Sequence, residues 1–243
     1  MESIESAIAA ERGGANRVEL CSSLIEGGVT PSPGLIGQAR KGLSIGLHVL
    51  IRPRGGDFCY TSEEFEVMQR DVLAAKKLGA DGVVLGILRR EGTVDVQRTR
   101  QLVDIARPLK VTYHRAFDMS LDPIGSLEDV VRTGAERILT SGGAENAIAG
   151  ARTLRQLVDV AGEQVIIMAG GGISPQNVRT LIEETGVREV HASLTSSMES
   201  PMRHKNEKIS MGSLEGREYQ RLTVLEDLVR QLVRAASASG ESS

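Results

Sequence analysis

Short apolar runs and amphipathic stretches take turns along the 243 residues, and one glycine signal marks each change from helix to strand. Gly14-Ala15 precedes Val18, Gly79-Ala80 precedes Val83, Gly134-Ala135 precedes Ile138, and Gly186-Val187 precedes Val190. A glycine can take the left-handed conformation that ends a helix, and a β-branched strand follows at once in each case. Between these joints lie three further apolar strands, Gly46 to Arg52, Lys110 to Arg115 and Gln164 to Met168. Four units of strand, helix, glycine joint and strand predict eight parallel strands closed into a TIM-type (β/α)8 barrel, because parallel strands joined by crossover helices need both faces covered.

Only seven strands are visible, however. The first unit begins with its helix, around Ser3 to Arg12, and the opening strand has no sequence to occupy it. Either the start is a shortened version of a longer chain, which is the simpler expectation, or the barrel carries a gap with unpaired strand edges. Ser174-Pro175 pairs a capping hydroxyl with a proline suited to a first helical position, and Thr61 to Glu64 places acids in a first turn, so helix starts follow strand ends. After the last strand, Ser196 to Gly216 reads as a long polar connection. Glu218 to Ala235 has helical spacing through Leu222, Leu225, Val229 and Val233, a helix expected to pack on the barrel exterior. The expectation is a single barrel domain over 1–236, with the small and polar residues 237–243 as a disordered tail and fraying from Ala235.

Composition narrows the function. Hydrophobic residues make up 40% and aromatics only 2%, which leaves the core to Val, Ile, Leu and Ala. A net charge of -3 with scattered basic residues argues against nucleic acid. Cys21 and Cys59 lie far apart and form no CxxC, which excludes a disulfide framework or structural zinc site and suits a reducing cytosol. No export signal is visible, and no apolar run nears the ~20 residues that span a bilayer, so a cytoplasmic protein with no membrane partner is expected.

Strand alternation gathers the candidate chemistry. With Val18 and Leu20 facing the helices, Glu19 and Cys21 face the barrel axis; by the same rule Thr112 and His114, and His191 and Ser193, point inward. The run Ile51-Arg52-Pro53-Arg54-Gly55-Gly56-Asp57 ends a strand in convergent charge. Arg52 and Arg54 suit carboxylate or phosphate, although an ion pair with Asp57 or Glu19 would also explain them. Gly170, Gly171 and Gly172 before the Ser174-Pro175 helix start, and more weakly Ser141 and Gly142, could cradle an anion, or simply make tight turns. His114 to Asp118 brings an imidazole, a guanidinium and a carboxylate to one strand end, with His114 a candidate general base and a carbonyl-bonded core histidine as the plain alternative. His48 lies early on its strand and is assigned no chemistry. Cys21 is a soft ligand at the barrel mouth, and Cys59 could join it on copper(I) if its loop folds inward, whereas a buried free cysteine is more often just a small hydrophobe.

Arg17 to Cys21, Glu26 to Ser32, Ile51 to Tyr60, Val111 to Met119, Leu139 to Gly142 and Ser200 to Arg203 together closely resemble the CutC family, called copper homeostasis proteins, from about Glu2 to the final helix. The resemblance implies a TIM-type barrel, a cytoplasmic homo-oligomer and a link to copper handling. Members of that family usually begin with a short strand carrying a cysteine, absent here, and many have proline where this chain has Ala169. The family role therefore leaves Cys21 as the one matched thiol.

Two functions compete. One is a cytosolic copper(I)-binding protein of copper homeostasis using Cys21, with Cys59 a guess. The other is a barrel enzyme acting on a small phosphorylated or carboxylated metabolite by acid/base chemistry. In that enzyme Glu19, Arg52, His114, Asp118 and His191 would be the catalytic set, Arg52 clamping the anion and the late loops seating phosphate.

Overall fold

A computed structural model describes residues 1–206, 208, 209, 211 and 217–237. Among these residues eight α-helices and nine strands follow in the order α1 (Ile4–Arg12), β1 (Arg17–Leu20), α2 (Pro33–Gly42), β2 (Gly46–Leu50), α3 (Ser62–Lys77), β3 (Gly82–Leu85), α4 (Val96–Ala106) and β4 (Lys110–Tyr113). They continue as α5 (Pro123–Thr133), β5 (Arg137–Thr140), α6 (Ala151–Ala161), β6 (Ile166–Gly170), α7 (Val178–Thr185), β7 (Glu189–His191), β8 (Thr195–Glu199), β9 (Gln220–Val224) and α8 (Glu226–Ser237). Strands β1 to β7 form one parallel sheet in sequential order, the TIM-like α/β arrangement that the alternation predicts.

The predicted glycine joints end their helices: Gly134 and Gly186 cap α5 and α7 in the left-handed region, and Gly79 follows α3 with φ +84°. Thr61 opens α3 with a complete capping box to Glu64. One start differs. Helix α7 begins at Val178 rather than at Pro175, because Ser174 donates its amide to Asn177 Oδ1 (2.8 Å) and holds a turn ahead of the helix.

Alternation divides each strand between two surroundings. Val18, Leu20, Leu47, Val49, Ile51, Val111 and Tyr113 are buried in the aliphatic layer under the helices, each fully buried aliphatic side chain contributing about 1.5–3 kcal/mol. Their neighbours Glu19, Cys21, His48, Arg52, Thr112 and His114 face the interior.

The sheet does not close by strand pairing: β1 and β7 are its edges. Side chains cross the space between them. Arg17 pairs with Glu189, which also holds Arg137 (2.9 Å), and His191 Nδ1 lies 3.8 Å from Glu19 Oε2. Met1 runs beside β1 in the manner of a parallel bridge, its amino group donating to the Glu19 carbonyl (2.7 Å) and its carbonyl accepting from the Cys21 amide (2.9 Å). The seven strands and the gap between β1 and β7 are what a barrel lacking its first strand would show.

The segment after β7 departs from the sequence reading. Thr195–Glu199, expected from Ser196 on to belong to a polar connection, pairs antiparallel with Gln220–Val224, expected to be helical, and the helix starts only at Glu226. It then runs to Ser237, past the point at which fraying was expected; residues 238–243 of the anticipated tail lie outside the described residues. Helix α8 packs over the end of α1, where Gly13 leaves room for Val229: a Cβ at Gly13 would come within 2.5 Å of the valine Cβ.

Candidate functional site

The barrel interior, from Arg17, His48 and Glu189 near the strand amino ends to the strand carboxyl ends, and the gap between β1 and β7 enclose a cavity of about 1140 Å³. Glu19, Cys21, Arg52, His114 and His191, drawn from four strands or strand ends, all line it, as do Gly171 and Gly172. Arg54, Cys59, Asp118, Ser141, Gly142 and Gly170 do not.

Arg52 is buried and forms no ion pair among the described residues. Thr30 pins its backbone through Oγ1 (3.0 Å from the Arg52 amide) and through its own amide on the Arg52 carbonyl (2.9 Å). The guanidinium donates to the carbonyls of Glu26 (2.6 Å), Gly28 (2.8 Å) and Gly56 (2.7 Å) and lies over the Phe58 ring. Neither Asp57 nor Glu19 pairs with it. Arg54 behaves differently. It binds Glu64 (2.6 Å) and Asp57 (3.1 Å) and packs over Tyr60 on the outer side of the loop, so its expected anion role gives way to loop bracing.

His114 is not placed to be a general base. Its Nδ1 accepts the Ala116 amide (3.1 Å), capping the short turn Arg115–Met119, so the ring proton sits on Nε2. Burial, with the Arg52 charge beside it, depresses the imidazole pKa to about 3. The side chain is a neutral donor, and Nε2 meets no acceptor among the described residues. Gly86 makes the space: a Cβ there would lie 2.7 Å from Nδ1. Phe58 stacks obliquely on the other face, ring centroids 5.0 Å apart.

Asp118 leaves the catalytic set for a similar reason. Its carboxylate accepts from Thr140 Oγ1, from Ser141 through amide (3.0 Å) and hydroxyl (3.1 Å), from the Gly143 amide (3.1 Å) and from Arg115 Nε (2.7 Å). A carboxylate so saturated is a brace for the loop after β5. The Gly142 amide is likewise taken by Thr140 Oγ1 (2.9 Å), which leaves Ser141 and Gly142 no free donors for an anion. Gly170 serves close packing on Leu139.

At the gap, the walls around His191 lower its pKa against the pull of Glu19, with the Met1 ammonium, Arg17 and Arg115 adding to the lowering. Burial raises the Cys21 thiol, opposed by the ammonium, which lies 3.5 Å from Sγ. Cys59 sits on the outer loop, its amide on Asp57 Oδ1 (3.0 Å) and its carbonyl on Arg54 (3.2 Å), so the loop does not fold inward as a copper site with Cys21 would need. Among the described residues no group of three or more His, Cys, Asp or Glu side chains is arranged to hold a metal ion. The soft donors that line the cavity are the Cys21 thiol, the thioethers of Met1 and Met168, the latter engaged by Arg17 (2.7 Å), and the imidazoles of His48, His114 and His191. Cys21 and His191 line the same cavity, and Cys59, the other cysteine, does not.

Sequence reasoning assigns no role to Arg115, Thr112 or Phe58. Arg115 lines the cavity and bonds Ser141 Oγ (2.9 Å) as well as Asp118; its place beside His114 on the same strand end was the available signal. Thr112 points inward as the alternation predicts, and its hydroxyl has no partner among the described residues. Nothing in the pattern placed Phe58.

The sequence model of the CutC family matches residues 1–196. The copper homeostasis protein cutC homolog of Mus musculus is 46% identical over 213 residues, covering 88% of this chain and 78% of the mouse protein. The CutC family protein of Chromobacterium violaceum is 47% identical over 233 residues, covering 96% and 94%. Among solved structures, the CutC protein of Streptococcus agalactiae superposes with a TM-score of 0.75 at 35% identity, covering 79% of this chain and 94% of the other. The N-(5'-phosphoribosyl)anthranilate isomerase of Pyrococcus furiosus, 14% identical with a TM-score of 0.59 over 98% and 96% of the two chains, shares the fold alone.

Proposed function

The chain belongs to the CutC family, and we propose from that membership that it serves copper homeostasis by taking up copper(I) as cargo at the mouth of the barrel, on Cys21. The observation that carries the reading is the Cys21 thiol in the cavity wall, with the His191 imidazole lining the same cavity and both within reach of the Glu19 carboxylate and the Met1 ammonium. A thiol and an imidazole select copper(I) over harder ions. The low pKa of His191 keeps its ring neutral, the form a metal needs, and a bound monovalent cation would oppose the burial that otherwise holds the Cys21 proton on. Glu19 would balance the added charge. The setting is the one that the family resemblance implies, a cytosolic, self-associating protein; no helix among the described residues is long and apolar enough to cross a membrane.

The test is competition between the reduced protein and a chromophoric copper(I) chelator. One equivalent should transfer to the wild-type protein, and Cys21→Ser should fail to withdraw it, while Cys59→Ser behaves as wild type. Equal competition by wild type and Cys21→Ser would remove Cys21 from the ligand set.

A further inference from the structure

The stretch from Ser22 to Val29 folds back over the end of β1. Its stem is a pair of backbone bonds, the Ser22 amide to the Val29 carbonyl (2.9 Å) and the Val29 amide to the Ser22 carbonyl (2.7 Å). Its turn needs unusual backbone: Ser23 sits at φ +53°, a left-handed conformation that a residue with a Cβ seldom adopts, and Gly27 and Gly28 follow at +79° and +93°. Ile25, Glu26 and Gly27 at the tip are exposed. The underside is not. Leu24 packs against a small buried cluster of Cys21, Leu50 and Val84 that stands apart from the main core. Gly28 lies so close on that cluster that a Cβ there would come within 2.7 Å of Leu50 Cδ2 and 3.6 Å of Cys21 Sγ. Cys21 is only 2% exposed, and Leu24, Glu26 and Gly27 line the cavity as it does, so the stretch roofs the thiol.

Few contacts among the described residues hold this roof down. Leu24 is its apolar anchor, and the Glu2 carboxylate accepts the Leu24 amide (2.8 Å). The main tie is Arg52. Its Nη1 donates to the carbonyls of Glu26 (2.6 Å) and Gly28 (2.8 Å), while Nη2 donates to the Gly56 carbonyl (2.7 Å) in the next loop. Charged donors make the stronger hydrogen bonds, and here one guanidinium joins two loops. Opening would return the Glu26 and Gly28 carbonyls to water, so loss of the guanidinium weakens the closed arrangement and not the open one. A segment with one apolar anchor and few bonds belongs to the low-stability end of a fold and can open while the barrel stays folded.

We propose that residues 22–29 are a flap over Cys21 and that Arg52 is the positioning residue that latches it, so that opening of the flap sets how fast the thiol is reached. What passes beneath the flap rests on the copper reading; the flap itself does not.

Labelling of the full-length protein with 5,5′-dithiobis(2-nitrobenzoic acid) tests this, in a Cys59→Ser background so that Cys21 alone reacts. The Cys21 thiolate attacks the reagent's disulfide and displaces one thionitrobenzoate anion, which is read by its absorbance. Labelling should be slow, and its rate should stay level as urea rises toward the unfolding transition, since a local opening exposes little surface. Arg52→Met should label at least about tenfold faster, with the same flat dependence on urea. Gly28→Ala should also label faster with the latch intact, because its Cβ presses on Leu50 at a backbone angle that disfavours it. Gly86→Ala crowds the barrel wall at His114, away from the flap, and should leave the rate without urea unchanged. Labelling that follows this pattern in a protein that takes up no copper(I) would sink the copper reading and leave the flap standing. A rate as high as that of the unfolded chain, a rate that climbs with urea in step with global unfolding, or a wild-type rate in Arg52→Met would each overturn the flap. Should Arg52→Met fail to fold, a wild-type rate in Gly28→Ala overturns it.

Discussion

Mild acid should destabilise this protein well before its carboxylates titrate. His48 and His114 are both buried and neutral, with pKa values pushed down to about 4 and about 3 from an ordinary 6.5, each chiefly by burial. On unfolding, both imidazoles recover the ordinary value and take up protons, so the unfolded state binds more protons than the folded one throughout the interval below pH 6.5. The stability that neutral burial confers is therefore complete above pH 6.5 and is lost as pH falls toward the folded values. Between pH 6.5 and pH 5 each imidazole contributes a loss of about 1.6 kcal/mol, or about 3 kcal/mol for the pair. Because both folded values lie below that window, the loss is governed by the unfolded pKa alone. His191 is shifted in the same direction and adds to it. Against a total stability of about 5–15 kcal/mol this is a large fraction. Urea unfolding followed by circular dichroism at pH 7.5, 6.5, 5.75 and 5 measures it directly. His48→Gln and His114→Gln should each flatten the slope by one proton's share, whatever they do to stability at pH 7.5. Stability that stays level from pH 6.5 to pH 5 would show that the imidazoles reach water or carry charge in the folded state, and the donor role of His114 would go with it.

Gly86→Ala should cost about 1–3 kcal/mol, since its Cβ would lie 2.7 Å from His114 Nδ1 and 3.2 Å from the Ala116 Cβ in a packed wall. In a double-mutant cycle with His114→Ala most of that cost should vanish, and full additivity would place the crowding elsewhere. Asp118→Asn should destabilise by about 3 kcal/mol and speed amide exchange at Ser141 and Gly143, because an amide can accept only part of what the carboxylate holds. A variant with wild-type stability and exchange would return Asp118 to the list of chemical groups.

The alternation of apolar runs with glycine joints was enough to read the parallel sheet, because each joint is a local backbone event and each buried strand is a local apolar run. The inward positions of Glu19, Cys21, Thr112, His114 and His191 followed from period two for the same reason. What could not be read were choices made by contacts distant in sequence. Asp118 and Arg54 carry charges typical of a site, but the loops at 140–143 and 57–64 claim them. Gln220–Val224 has helical spacing through Leu222 yet becomes a strand because Thr195–Glu199 offers it a partner about 25 residues earlier. The tautomer of His114 depends on one backbone amide two residues on, and Phe58 is placed by a bond from the Leu88 amide to its carbonyl (2.9 Å). The β1–β7 edge is held by side chains whose pairing across the gap no periodicity announces.

X-ray absorption at the copper edge of reduced protein carrying one copper(I) tests the copper assignment most directly. One sulfur and one nitrogen neighbour are predicted, with the sulfur lost in Cys21→Ser, the nitrogen lost in His191→Ala, and both kept in Cys59→Ser. Two sulfur neighbours that disappear when Cys59 is replaced, or a spectrum indifferent to Cys21, would contradict the placing of copper at the barrel mouth.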